Sequence, residues 1–115
     1  MIEKQIDTNV RTITIRDAHN GALLASAPVE AGVQLFEGAW YFDQEQVQMH
    51  RLIITDRTYT CPYKGVCYWI DMESEDGHTC SNIGFTYFKV NPGYESFKDQ
   101  IGFYAGKREA TFEES

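Results

Sequence analysis

Thr60-Cys61-Pro62-Tyr63-Lys64-Gly65-Val66-Cys67-Tyr68-Trp69-Ile70 reads as a tight turn that opens straight into a β-strand. Pro62 pre-sets a turn backbone and Gly65 lets the chain bend without steric cost. From Val66 onward, β-branched and aromatic side chains follow one another, and such residues favour a pleated, half-buried surface. The turn also sets a thiol and a primary amine three residues apart. Thiols and amines are the side chains most readily tuned into nucleophiles. Both the fold class and the first candidate site therefore come from this one stretch.

Outward from it, the same strand grammar recurs. Thr12-Ile13-Thr14-Ile15 alternates polar and apolar residues, the period of a half-buried strand. His19-Asn20-Gly21 predicts a hairpin turn of type I′, with a return strand over Ala22 to Ser26. Val33 to Phe36, the Glu37-Gly38 turn and Ala39 to Phe42 predict a second hairpin. Asp43 is placed to cap one helical turn through Val47. Leu52-Ile53-Ile54-Thr55 is a continuous apolar run, which predicts burial on both faces. Glu73 to His78 reads as a solvated loop, and Ile83 to Tyr87 as the next strand. Tyr94 to Ile101 carries apolar residues at helical spacing and ends at Gly102. Phe103-Tyr104 and Thr111-Phe112 close the chain as strands. The expectation is a mainly β, single small domain over residues 1–115, with seven or eight short antiparallel strands and one or two short helices.

Composition narrows the function. Seven Tyr, seven Phe and two Trp in 115 residues predict a sheet-rich core, because each buries a large area. A net charge of −7, with ten scattered basic residues, argues against a nucleic-acid partner, whose phosphates require clustered Lys and Arg. No apolar stretch approaches the ~20 residues that cross a bilayer, and the first residues lack a secretory h-region. A cytoplasmic, membrane-free protein is expected, with Cys61, Cys67 and Cys80 as reduced thiols.

The chemistry centres on the turn. Lys64 is placed to stabilise a Cys61 thiolate, which makes Cys61 the candidate nucleophile; the alternative is a small buried hydrophobe. Lys64 with Gly65 can hold a phosphate or carboxylate, the glycine backbone contributing N–H groups. No P-loop is present. Cys61, Cys67, Cys80 and His78 are zinc-competent residue types, but their spacings are C-x₅-C and H-x-C, so no metal and no cofactor is assigned. Asp71, Glu73, Glu75 and Asp76 lack a calcium-loop pattern and read as a solvated charge run. His19 and His50 read as surface residues. Tyr41, Tyr63, Tyr68 and Tyr87 are the candidate walls or hydroxyl donors of a pocket around the turn.

In order along the chain, Ala39-Trp40-Tyr41-Phe42, Thr60-Cys61-Pro62-Tyr63-Lys64-Gly65 with Tyr68, Phe85-Thr86-Tyr87 and Ile101-Gly102-Phe103-Tyr104 resemble a bacterial domain family of unknown function, sometimes labelled nucleotidyltransferase-like. The resemblance covers roughly residues 12–112. It implies a small β-tent, similar to zinc-binding β-tent proteins and to methionine sulfoxide reductase B. The two C-x-x-C pairs of many such zinc proteins are absent here, and Phe85 stands where many relatives carry Trp. The Gly-Ser and Asp-x-Asp arrangement of classical nucleotidyltransferases is also missing, although nucleotidyl transfer requires carboxylate-held divalent cations. The leading expectation is a small-ligand-binding domain, with Lys64 anchoring an anionic group. The alternatives are a thiol enzyme using Cys61, with Cys67 or Cys80 as resolving thiol, and a protein-interaction module able to form a homodimer through a sheet edge.

Overall fold

A computed structural model describes residues 11–74 and 76–115. Met1 to Asp7, and Glu75 of the acidic run, lie outside these residues. Among the described residues, nine antiparallel strands form two sheets: β1 (Thr12–Asp17), β2 (Leu23–Pro28), β3 (Val33–Phe36), β4 (Ala39–Phe42), β5 (Leu52–Cys61), β6 (Gly65–Glu73), β7 (Thr79–Thr86), β8 (Ile101–Tyr104) and β9 (Thr111–Glu114). The first sheet has the order β2-β1-β9 and the second β3-β4-β8-β7-β6-β5. The domain is mainly β, as its aromatic and alternating sequence predicts.

Over its central strands the second sheet is buried on both faces, and strand alternation explains how. All four residues of β4 are buried. Trp40 and Phe42 join Ile13, Ile15, Leu24, Ile70 and Phe103 in a core shared with the first sheet. Ala39 and Tyr41 point the other way, into a separate cluster with Cys61, Cys67, Phe85, Tyr87 and Phe97. That second cluster is roofed by Val90, Tyr94 and Phe97 of the segment between β7 and β8.

Turn chemistry follows the sequence in part. Glu37 and Gly38 have φ of 49° and 79°, the two positive values of a type I′ hairpin turn, and Phe36 pairs with Ala39 around them. The β1–β2 connection is longer than the expected two-residue turn. Asp17 N–H donates to the Ala22 carbonyl at 2.9 Å, and of His19-Asn20-Gly21 only Gly21 takes positive φ. Asn20 instead accepts the Ala22 N–H at 2.9 Å through its side chain.

Helical content is smaller than the apolar spacing suggests. Among the described residues it consists of three single 3-10 turns, Gln44–Gln46, Met49–Arg51 and Glu95–Phe97. Asp43 precedes the first but makes no side-chain cap; its carboxylate accepts the Gln100 amide at 2.9 Å. The predicted helix over Tyr94 to Ile101 stops at Phe97, because Ile101 and Gly102 pair with Thr86 and Phe85 as strand β8. The Leu52–Thr55 run is not buried on both faces. Ile53 and Ile54 are 44% and 37% exposed, because β5 is the edge strand of its sheet.

Of the described residues in the Glu73–His78 stretch, Glu73, Asp76, Gly77 and His78 are exposed as predicted, and Ser74 is not. Ser74 is buried and donates its hydroxyl to the Asp17 carboxylate at 2.7 Å. The same Asp17 oxygen accepts Arg51 Nη2 at 3.2 Å, and Arg51 Nε donates to the Glu73 carbonyl at 3.0 Å. Asp17 and Arg51 are both buried, so this ion pair pins the end of β1 to the second sheet. Removing one partner strands the other charge away from water. Asp17→Ala is expected to lower stability by about 3–5 kcal/mol, read as a shifted urea midpoint; a shift under about 1 kcal/mol, the scale of an exposed pair, would show that the pair is solvated.

Candidate functional site

Cys61 ends β5 and Gly65 begins β6, so Pro62, Tyr63 and Lys64 form the three-residue loop of a hairpin. Gly65 has a φ of 124°, outside the usual reach of a residue with a side chain, and an added Cβ would lie 3.0 Å from the Lys89 carbonyl. The loop curls back on itself, and the Lys64 N–H donates to Cys61 Sγ at 3.4 Å. Asn91 secures it from outside: its N–H donates to the Lys64 carbonyl at 2.8 Å and its side-chain amide to the Tyr63 carbonyl at 2.9 Å.

The amine itself is buried. Lys64 is 4% exposed, with Nζ 5.0 Å above the Phe36 ring and 5.7 Å from that of Tyr87. Both rings offer their negative faces to the ammonium. Its carboxylate partner is Glu37 Oε1 at 3.2 Å, whose side chain is 62% exposed at the tip of the β3–β4 turn. A cavity of about 370 Å³ opens beside this pair, lined among others by Tyr41, Tyr59, Cys61, Tyr63, Phe85 and Tyr104. Tyr41 packs edge-on against Phe85 at 5.6 Å, and Phe85 against Tyr104 at 5.3 Å. Phe85 stands over Gly102, its partner across the strands, where a Cβ would come within 2.3 Å of the ring. The glycine makes room for that wall.

The two thiols of this face differ. Burial pushes the Cys61 thiol up, but the N–H groups of Lys64, Tyr63 and Gly65 and the Lys64 ammonium outweigh it, leaving Cys61 below the ordinary thiol range. Cys67, buried in the same cluster, is pushed up by its burial against the opposing hydrogen bonds from Tyr59 and Tyr87. Burial also pushes the Tyr41 and Tyr87 hydroxyls well above the normal phenol range, reinforced by the neighbouring thiols. Both phenols therefore stay protonated as neutral hydrogen-bonding groups.

The sequence candidates divide between two places. Cys61, Tyr63, Lys64, Tyr41 and Tyr87 line this cavity together. Tyr68 and Gly65 do not; they line a separate hollow with Val66 and Phe88, which Cys61 also touches. The soft ligands do not converge either. His78 and Cys80 border another cavity with His19 and Glu109, and among the described residues no group of three or more His, Cys, Asp or Glu could hold a metal. All three cysteines are free. Asp71 is tied up by Arg57 and the Asn82 N–H. Glu37 and Phe36, which complete the lysine's surroundings, are read in the sequence only as parts of a hairpin. Their signal is local to that turn, Glu37 within it and Phe36 just before it.

Every residue of this cavity falls within one family match, which spans residues 5–114. The chain belongs to the family described as Domain of unknown function (DUF427). The family carries a nucleotidyltransferase-like label in its short name. No curated protein matches the chain. Among the described residues of this DUF427 domain, no helix is long and apolar enough to cross a membrane.

The inequality of the thiols has a direct readout. Iodoacetamide labelling followed by mass spectrometry should modify Cys61 with a midpoint below that of a free cysteine, and Cys67 only at higher pH. In Lys64→Met the Cys61 profile should move towards alkaline pH yet stay below that of Cys67, because the loop N–H groups remain. Coincident profiles for the two cysteines would rule out the activated thiolate.

Proposed function

We propose that this DUF427 domain binds a small anionic ligand in the cavity beside Lys64, with Cys61 and the surrounding aromatic side chains as its walls. The observation that carries the reading is the lysine. An ammonium group held at 4% exposure usually needs a buried partner. Its carboxylate partner here belongs to an exposed side chain at a turn tip. A ligand anion can replace Glu37 at Nζ, and Glu37 then returns its carboxylate to water at little cost. The phenol of Tyr41 remains a neutral donor near the bound group, and the faces of Tyr59 and Tyr63 suit a planar body. Glu37 thus acts as an internal competitor, holding the lysine in place until ligand arrives.

A second reading, thiol chemistry at Cys61, is favoured by the ring of backbone N–H groups around its sulfur. Such a ring stabilises a thiolate, and a resolving thiol in the same cluster would be Cys67. The labelling profile above decides whether that reading survives.

Phenyl phosphate is a suitable probe of the anion site. At a hundredfold excess over its dissociation constant it should stabilise the folded domain by about 2.7 kcal/mol. Lys64→Met, which keeps the apolar stem, should bind roughly tenfold more weakly or worse. Its unfolding midpoint should change by less than about 1 kcal/mol. Glu37→Gln should bind more tightly than the parent, because the competitor is weakened. Unchanged affinity in both variants would remove Lys64 as the anchor, and a large loss of stability in Lys64→Met with affinity preserved would make the lysine structural.

A further inference from the structure

The hairpin that carries Cys61 and Lys64 has a second concave side. Val66 and Tyr68 alternate with Cys67 and Trp69 along β6, so they face away from the aromatic cluster. On that side the core shared with the first sheet reaches Ile70 and includes neither Val66 nor Tyr68. Val66 is 40% exposed and Phe88 38%, around a cavity of about 600 Å³. That volume is within the range of small-molecule sites.

We propose that this hollow is a separate binding site for a small molecule with an aromatic or branched apolar body and one carboxylate. The apolar part is preformed. Tyr68 and Phe88 meet at 5.2 Å with their rings inclined by 51°, making a corner that Val66, Val90 and Pro62 continue. Charge selects the other part. The chain carries 17 acidic residues and a net charge of −7, yet no acidic side chain lines this hollow, whereas Lys89 does. A single ammonium at the rim suits a singly charged group. The wall that carries Lys89 is held in place. Asn91 is bonded to the carbonyls of Lys64 and Tyr63, and Gly65 lets the Lys89 carbonyl approach closely. Lys64 itself does not line the hollow, and only Cys61 and Pro62 border both cavities, so the assignment does not depend on the lysine of the anion site.

Naphthylacetate and its neutral counterpart naphthylethanol test this by amide NMR titration of the whole chain, up to about 10 mM, where weak binding still registers. Saturable shifts are expected at Val66, Tyr68, Phe88, Val90 and Asn91 with both probes. Lys89→Glu, at an exposed position, should weaken naphthylacetate by roughly three- to fivefold and leave naphthylethanol unchanged; equal losses would overturn the carboxylate assignment. Lys64→Met should alter neither affinity. An absence of saturable shifts at these amides would overturn the site. So would shifts centred on Ala39, Phe85 and Tyr104 that vanish in Lys64→Met, since the probe would then occupy the anion site. Failure of phenyl phosphate to bind would leave this second site standing.

Discussion

The second sheet has no wet face over its central strands, and much else follows from that constraint. In β4 every side chain must fit a packed environment, Trp40 and Phe42 in one and Ala39 and Tyr41 in the other. A slip of one residue would exchange the two sets, so register is strongly specified. The same alternation determines where a large ring can stand. Phe85 fits over β8 only because Gly102 has no side chain beneath it, and Phe85 in turn lines the cavity beside Lys64. That cavity is therefore walled by strand residues that share the rigidity of the core, with turn residues Glu37, Pro62, Tyr63 and Lys64 beside them.

Two buried cations show how differently this fold treats charge. Arg51 is closed in, paired with Asp17 and bonded to the Glu73 carbonyl, and Asp17 is also satisfied by Ser74 and by the His19 N–H at 2.8 Å. Nothing in that network offers a place for a ligand, and its role is to join the two sheets. Lys64 is as buried, but its ion-pair partner reaches in from solvent. Aromatic faces supply the rest of its stabilisation, and they do so without consuming its hydrogen-bonding capacity. The Asp17–Arg51 pair is satisfied entirely within the fold, whereas the Lys64 ammonium is paired with a side chain exposed to solvent.

Much of the strand pattern was legible locally. The Glu37-Gly38 hairpin, the Cys61–Gly65 turn and the strand after it follow from residue preferences that act over two to ten positions. The misreadings share a cause. Apolar residues at 94, 97 and 101 suggested a helix, but Ile101 is claimed by pairing with Thr86, a partner outside any local window. Ile53 and Ile54 look like a doubly buried strand, and only the strand order reveals that β5 is an edge. Ser74 looks like loop surface until Asp17, far away in sequence, is brought beneath it.

The residues alone determined that this is a sheet-rich acidic domain and that a thiol and an amine share one tight turn. Spacing within that turn is enough, because the N–H groups of Tyr63, Lys64 and Gly65 all come within reach of the Cys61 sulfur. Only the tertiary structure decided that Lys64 is buried against Phe36 and Tyr87, that Glu37 is its partner, and that Tyr68 belongs to a different hollow from Tyr41. Alternation dictates which side chains share a face within one strand. What covers that face depends on how distant strands are ordered, and it is this cover that turns an amine on a turn into a buried charge.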